Sequence, residues 1–192
     1  MFLIQVMMGM TFLWTEAAVA NKWFVVNDTV MGGVSQSKIE AHPNGGIVFK
    51  GFLSLENNGG FVSTRTESIP GDWSTISSIK MRLVGDGRTY IATVRPRSGY
   101  KRLYYRYDFE TTAGVETTVT IPLSKFEAFT FGRRVPAAPA LMDLRDQIAS
   151  AGVMLADKHQ GDFALRIISL AATGETSTES ESKTKKAPSV NE

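Results

Sequence analysis

Residue types that could do chemistry are concentrated in two places. The first is a pair of loops in which polar side chains lead into glycine: Asn27 and Asp28 ahead of Gly32 and Gly33, and Asn57 and Asn58 ahead of Gly59 and Gly60. Asn and Asp beside glycine bond their own backbone and hold tight turns, and glycine supplies positive φ or allows close approach of another segment. The same oxygens could hold a cation, but one carboxylate with amides is a poor cage for calcium. Turn chemistry is the preferred reading, no metal is expected, and the four glycines are taken as structural turns. Met31 beside the first pair either meets a partner or fills a gap in the core.

The second place is a run of aromatic and charged residues. Tyr104, Arg106 and Asp108 share one face of a strand-like segment, and Tyr90, Arg95, Arg97 and Tyr100 lie close in sequence. Rings that stack on pyranose C–H surfaces, with Arg and Asp reaching hydroxyls, make a sugar-binding face. A protein-binding face uses the same residue types, because Tyr and Arg dominate hot spots. The plainer alternative is that Tyr105, Tyr107 and Phe109 are core and Tyr104 and Arg106 their solvated alternates. The candidate binding residues are therefore Asn27, Asp28, Met31, Asn57, Asn58, Tyr90, Arg95, Tyr104, Arg106 and Asp108.

No nucleophile elbow, HExxH helix or phosphate-binding loop occurs, so the chain is not expected to be an enzyme or to use a cofactor. Asp28, Glu56, Asp108, Glu110 and Asp157 could supply a carboxylate pair, yet acids at strand ends ordinarily serve turns or solvent. Asp157 and Lys158 either pair with each other or point to a ligand. With no Cys, disulfides and thiolate chemistry are excluded, and His42 and His159 are the imidazoles available. A net charge of +2 gives no electrostatic case for nucleic acid.

The elements that must position these residues read as short strands. At 192 residues and 43% hydrophobic content the chain suits one domain with a proper core. Residues 47–55 alternate Ile47, Phe49, Gly51, Leu53 and Leu55 against Val48, Lys50, Phe52 and Ser54. Ile79, Met81 and Leu83 alternate with Lys80 and Arg82, and the GDG at 85–87 then reads as a hairpin turn into residues 88–95. Tyr90, Ala92 and Val94 face one way there. Leu103, Tyr105, Tyr107 and Phe109 follow, then Val119, Ile121 and Leu123, with Pro122 marking a strand end or edge. Residues 132–140 read as a long loop and 141–150 as one short helical turn. Residues 153–156 and 163–170, joined by a polar turn at 157–162, close an all-β, jelly-roll-like sandwich.

The double signature VNDTVMGGVSQS and FKGFLSLENNGGFVSTR resembles the complex I intermediate-associated protein family. The likeness continues in YRYDFETT (105–112), IPLSKFEAF (121–129) and GVMLADKHQGDFALRI (152–167). That family has a galactose-binding-like β-sandwich, akin to carbohydrate-binding modules, and includes a mitochondrial assembly factor for the respiratory NADH dehydrogenase. The resemblance implies a non-catalytic domain that binds proteins as an assembly factor or chaperone, including unfolded ones, with a respiratory-complex subunit or assembly intermediate as partner. The alternative it leaves is a carbohydrate-binding module for a glycan or small sugar.

The expected organisation is an apolar segment at 1–11, the sandwich at 12–171 and a disordered tail at 172–192. The opening run has the length of a signal-peptide core, with Ala18, Val19 and Ala20 as a cleavage site, but no basic residue precedes it and Glu16 interrupts it. It is too short to span a membrane. A cytoplasmic chain is the preferred reading, and a periplasmic or secreted one follows if the segment is a signal. In the tail, Lys183, Lys185 and Lys186 sit among acids and serve solubility.

Overall fold

A computed structural model describes residues 10–12, 22–67, 73–97 and 103–174, the first group by its backbone. The strands are β1 (Met10–Phe12), β2 (Trp23–Asn27), β3 (Gln36–Ala41), β4 (Ile47–Leu53), β5 (Val62–Thr66), β6 (Ile76–Val84) and β7 (Thr89–Pro96). After them come β8 (Tyr104–Glu110), β9 (Glu116–Pro122), β10 (Glu127–Thr130), β11 (Arg133–Arg134), β12 (Ile148–Leu155) and β13 (Gly161–Gly174). One sheet runs β3-β4-β13-β6-β9, with β1 also paired to β13. The other runs β11-β10-β8-β7-β12-β5-β2. All strand pairs within them are antiparallel. The molecule is the expected β-sandwich.

Period-two patterning explains how the two sheets meet. Phe49, Leu53, Met81, Leu83, Ile121 and Leu165 come from the first sheet. Val62, Tyr90, Val94, Tyr105, Val153 and Leu155 come from the second, and all are buried in one core. Phe49 and Phe163 pack edge to face at 4.9 Å. Pro122 ends β9, an edge strand, where a missing N–H leaves no ladder bond unmade.

Several expectations need correction. The GDG segment does not turn a hairpin: β6 and β7 lie in different sheets, so 85–88 carries the chain across the sandwich. Its side chains hold the crossing. Asp86 accepts bonds from the Tyr90 hydroxyl (2.9 Å) and the Ala164 N–H (2.8 Å). The Arg88 guanidinium donates to both carboxylate oxygens of Asp157 (2.9 and 2.7 Å) and to the carbonyls of His159, Gly161 and Asp162. Asp157 is thus paired across the fold with Arg88 and not with Lys158. Burial works against its charge, but the Arg88 bonds outweigh it and hold its carboxyl below the ordinary range.

Leu55 is exposed and Ser54 buried, the reverse of strict alternation, because β4 ends at Leu53 and a 3-10 turn follows at Glu56–Asn58. The loop at 132–140 contains β11, which returns against β10. The helical turn is a 3-10 segment at Leu141–Gln147, after which β12 begins earlier than expected. β13 runs through Gly174, past the expected end of the domain. The remaining tail, residues 1–9 and Tyr100 lie outside the described residues.

The two glycine loops meet on one side chain. Asp28 is fully buried. Its Oδ1 accepts from the Ser35 N–H (3.0 Å), and its Oδ2 from the Ser35 hydroxyl (2.6 Å) and the N–H groups of Gly60 (2.7 Å) and Phe61 (3.3 Å). The Ser35 hydroxyl in turn accepts from the Ser54 N–H at 2.9 Å. One carboxylate therefore joins the end of β2, the approaches to β3 and β5, and the end of β4. Burial raises its pKa, but the Ser35 hydroxyl and the Gly60, Ser35 and Phe61 N–H groups outweigh burial and leave it lowered.

Each glycine pair has one member at positive φ, Gly32 at 93° and Gly60 at 124°. The other member abuts the carboxylate. A Cβ on Gly33 would lie 2.4 Å from Asp28 Cγ, and one on Gly59 2.6 Å from Asp28 Oδ2.

Two predictions follow from this hub. Gly32→Ala, strained but unobstructed, is expected to cost about 1–2 kcal/mol. Gly33→Ala and Gly59→Ala must displace the carboxylate and are expected to cost at least about 3 kcal/mol, since donors to a charged group are left unpaired. Urea melts of the three variants check the order, and equal losses would refute it. Because the folded pKa of Asp28 is depressed, its contribution is present above the ordinary value of 3.8 and lost as pH falls through the lower folded value. In acid melts, Asp28→Asn is expected to be less stable than wild type at neutral pH and to converge with it at low pH.

Candidate functional site

On the outer face of the seven-stranded sheet, strand register aligns residues in rows. One row runs Phe24, Arg65, Gly152, Thr93, Arg106 and Glu127 across β2, β5, β12, β7, β8 and β10. The next contains Ser150, Arg95, Tyr104, Phe129 and Arg134. Alternation forces this arrangement: Val62, Thr64 and Thr66 of β5 turn inward, so Ser63 and Arg65 turn out. Likewise Tyr90, Ala92 and Val94 face the core, and Arg95 does not.

The rings of this face are covered by cations. The Arg65 guanidinium lies 4.7 Å above the Phe24 ring centre, Arg95 4.9 Å above Tyr104, and Arg106 4.6 Å above Phe129. Tyr104 and Phe129 also contact each other at 6.0 Å. Tyr104 consequently retains 9% of its exposure, which corrects its reading as a solvated alternate. Arg106 is neutralised by Asp108 through three bonds of 2.7–3.1 Å, and Arg134 by Glu127 at 2.6 Å.

A cleft of about 420 Å³ opens at the β5–β12–β7 end of this face, lined by Phe24, Arg65, Arg95, Arg97, Leu103 and Ser150 among others. A register shift between Ile148 and Ser150 makes a bulge at its floor. Burial lowers the pKa of Arg65. Burial first, and then repulsion from Arg65, lowers that of Arg95 to about 10.

Of the sequence-derived candidates, Arg95, Tyr104, Arg106 and Asp108 are brought together on this face. Tyr90 is not: it is fully buried, stacked with Phe109 at 6.2 Å, and its hydroxyl is engaged by Asp86. Asp28 is the buried hub, and Asn27 accepts from the Ser37 hydroxyl at 2.5 Å. Both carboxylate oxygens of Asp28 meet N–H or O–H donors, the pattern of turn chemistry and the wrong polarity for a cation. Asn57 and Asn58 are exposed with positive φ, and Met31 is 66% exposed, beside Val30 at 70%. Phe24 and Arg65 were not singled out in the sequence. The signal was available in the alternation of WFVVN and VSTRT, which sets both off the core face.

Comparisons with known proteins bear on the whole fold. The family model described as "Complex I intermediate-associated protein 30 (CIA30)" matches residues 12–167. "Complex I intermediate-associated protein 30, mitochondrial" of Mus musculus is 29% identical over 168 residues, covering 77% of this chain and 50% of that protein. This chain thus spans about half the length of that relative. Among solved structures, the family 11 carbohydrate-binding module of cellulase Lic26A-Cel5E from Clostridium thermocellum superposes with a TM-score of 0.66 at 20% identity. The match covers 87% of this chain and 95% of that one. The same module in complex with a β-1,3-1,4-mixed-linked tetrasaccharide gives 0.62 at 20% identity, covering 86% and 96%. These likenesses place the fold among galactose-binding-like sandwiches.

The opposite orientations of Tyr90 and Tyr104 give contrasting expectations. Tyr90→Ala empties the core and is expected to cost about 3–5 kcal/mol. Tyr104→Ala removes a ring that packs between Arg95 and Phe129 on the outer face and is expected to cost about 2 kcal/mol. Guanidinium melts check both, and a Tyr90→Ala protein as stable as wild type would contradict the burial described.

Proposed function

Because the chain belongs to the complex I intermediate-associated protein 30 family, we propose that it is a non-catalytic protein-binding domain that assists assembly of a respiratory NADH dehydrogenase. The observation that carries this reading is the match over residues 12–167, which takes in both sheets, the Asp28 hub and the outer face with its cleft. The surface chemistry agrees with it. Arg and aromatic side chains crowd the outer face, and Val30, Met31 and Val34 stand 70%, 66% and 43% exposed on the loop after β2. Such residues suit a protein contact. Of the acids weighed for catalysis, Asp28, Asp108 and Asp157 are engaged by donors, which supports a non-catalytic role.

A carbohydrate-binding role has the fold of its structural neighbours in its favour, and a shared fold does not confer function. Tyr104, Phe129 and Phe24, the rings a pyranose would need, each already carry a guanidinium on one face.

Deletion of the gene in the source organism, read by native gels and NADH dehydrogenase activity of membranes, tests the proposal. Assembled enzyme is expected to fall and subcomplexes to accumulate, both restored by the wild-type chain. Unchanged enzyme in the deletion strain would sink the proposal. A glycan array is expected to be flat, and a strong, selective signal on it would favour the carbohydrate reading instead.

A further inference from the structure

We infer that the cleft between β5, β7 and β12 is a carboxylate-binding site, in which Arg65 and Arg95 receive an acidic side chain of a protein partner. The inference rests on the protein-binding reading above for its occupant and on the geometry of the cleft for its chemistry.

Several guanidiniums among the described residues are satisfied from within. Arg82, Arg88, Arg106 and Arg134 each meet a carboxylate, and Arg166 donates to the carbonyls of Asn44 and Gly45. Arg65 and Arg95 have neither an ion pair nor a hydrogen bond among the described residues, and both line the same cleft with Arg97. Glu67 also lines the cleft but is not in ion-pair contact with any of them. Two cations placed side by side at a partly desolvated site repel each other, and burial disfavours the charge of each. A bound anion relieves both penalties at once.

The way the two side chains are held fits a carboxylate. Arg65 lies over Phe24 and Arg95 over Tyr104, so each guanidinium is held against a ring. A ring contact consumes no N–H donor, so the fork of each guanidinium is left for the two-pronged bonds by which arginine recognises a carboxylate. Between the two arginines runs β12, where Gly152 and Ser150 occupy the outer positions. Gly152 lets the β5 backbone at Thr64 and Arg65 pack close, and Ser150 lines the cleft beside it. Neutral sugar recognition needs open ring faces, and the one ring lining the cleft among the described residues, Phe24, carries Arg65 on a face.

The test uses the full chain and a short peptide of alternating glutamate and serine, with its glutamine counterpart as the uncharged control, titrated by calorimetry. The glutamate peptide is expected to bind, more weakly as salt rises, and the glutamine peptide to give no heat. Arg65→Gln and Arg95→Gln are each expected to weaken binding about tenfold, the loss of one charge-assisted bond. The double variant should abolish it, and Lys50→Gln on the other sheet should leave it unchanged. Should a glutamine variant fail to fold, Arg65→Lys and Arg95→Lys keep the charge but lose the fork, and are expected to weaken binding several-fold.

A flat titration, equal binding of the glutamine peptide, or undiminished binding by the double variant would overturn the inference. Tighter binding of an oligogalacturonate or of inorganic phosphate than of the glutamate peptide would overturn the protein occupant. The two readings fail separately. Unchanged NADH dehydrogenase in the deletion strain, alongside arginine-dependent peptide binding, removes the assembly role and keeps the cleft. Full rescue of that strain by the folded double variant removes the cleft and keeps the role.

Discussion

The Asp28 carboxylate is the constraint to which much of this sandwich answers. It is buried with no cation paired to it among the described residues, and stays charged because backbone and hydroxyl donors converge on it from two separate segments. Those segments lead into strands of different sheets: Ser35 precedes β3, while Gly60 and Phe61 precede β5. A single ionised group thereby holds one corner of the two sheets together. The demand is reciprocal. Buried charge is tolerated only when its bonds are made, and they are made only because Gly33 and Gly59 let backbone come within reach of the carboxylate. The NDxVMGG and ENNGG motifs are two halves of one arrangement.

A second polar cluster does comparable work at the crossing between β6 and β7. Asp86 is bonded by the Tyr90 hydroxyl and the Ala164 N–H, and Arg88 by Asp157 and the carbonyls of the 157–162 turn. Here too the groups tied together belong to different sheets. The hydrophobic faces drive the sheets together, but apolar contact is non-directional. The two polar clusters fix how the sheets are connected at their ends, and so hold the outer face in a constant shape.

On that outer face the balance of charge varies from one end to the other. Around β8, β10 and β11, Arg106 and Arg134 each have an acid, Asp108 and Glu127. Towards β5 and β12 the arginines stack on rings and stay unneutralised. The proposed role calls for a protein partner, and the structural neighbours share the sandwich fold. An anion bound in the cleft would therefore relieve the charge of Arg65 and Arg95.

Much of the fold was legible in the sequence, because each strand needs only local alternation to declare its buried face: Ile79, Met81 and Leu83, or Tyr90, Ala92 and Val94, could face nothing but a core. The glycine pairs were equally legible as constrained backbone, and the motifs around them identified the family. What the sequence could not decide was which strands are neighbours. The GDG at 85–87 has the composition of a hairpin turn, yet the chain crosses between sheets there, since pairing depends on partners distant in sequence. The same reason hid the burial of Asp28 and its meeting with Gly60, the pairing of Asp157 with Arg88, and the stacking of Arg65 on Phe24. Each is a contact between residues dozens of positions apart, created when the sheets close. The alternation in a strand determines which side a residue faces, and only the tertiary structure determines what it meets there.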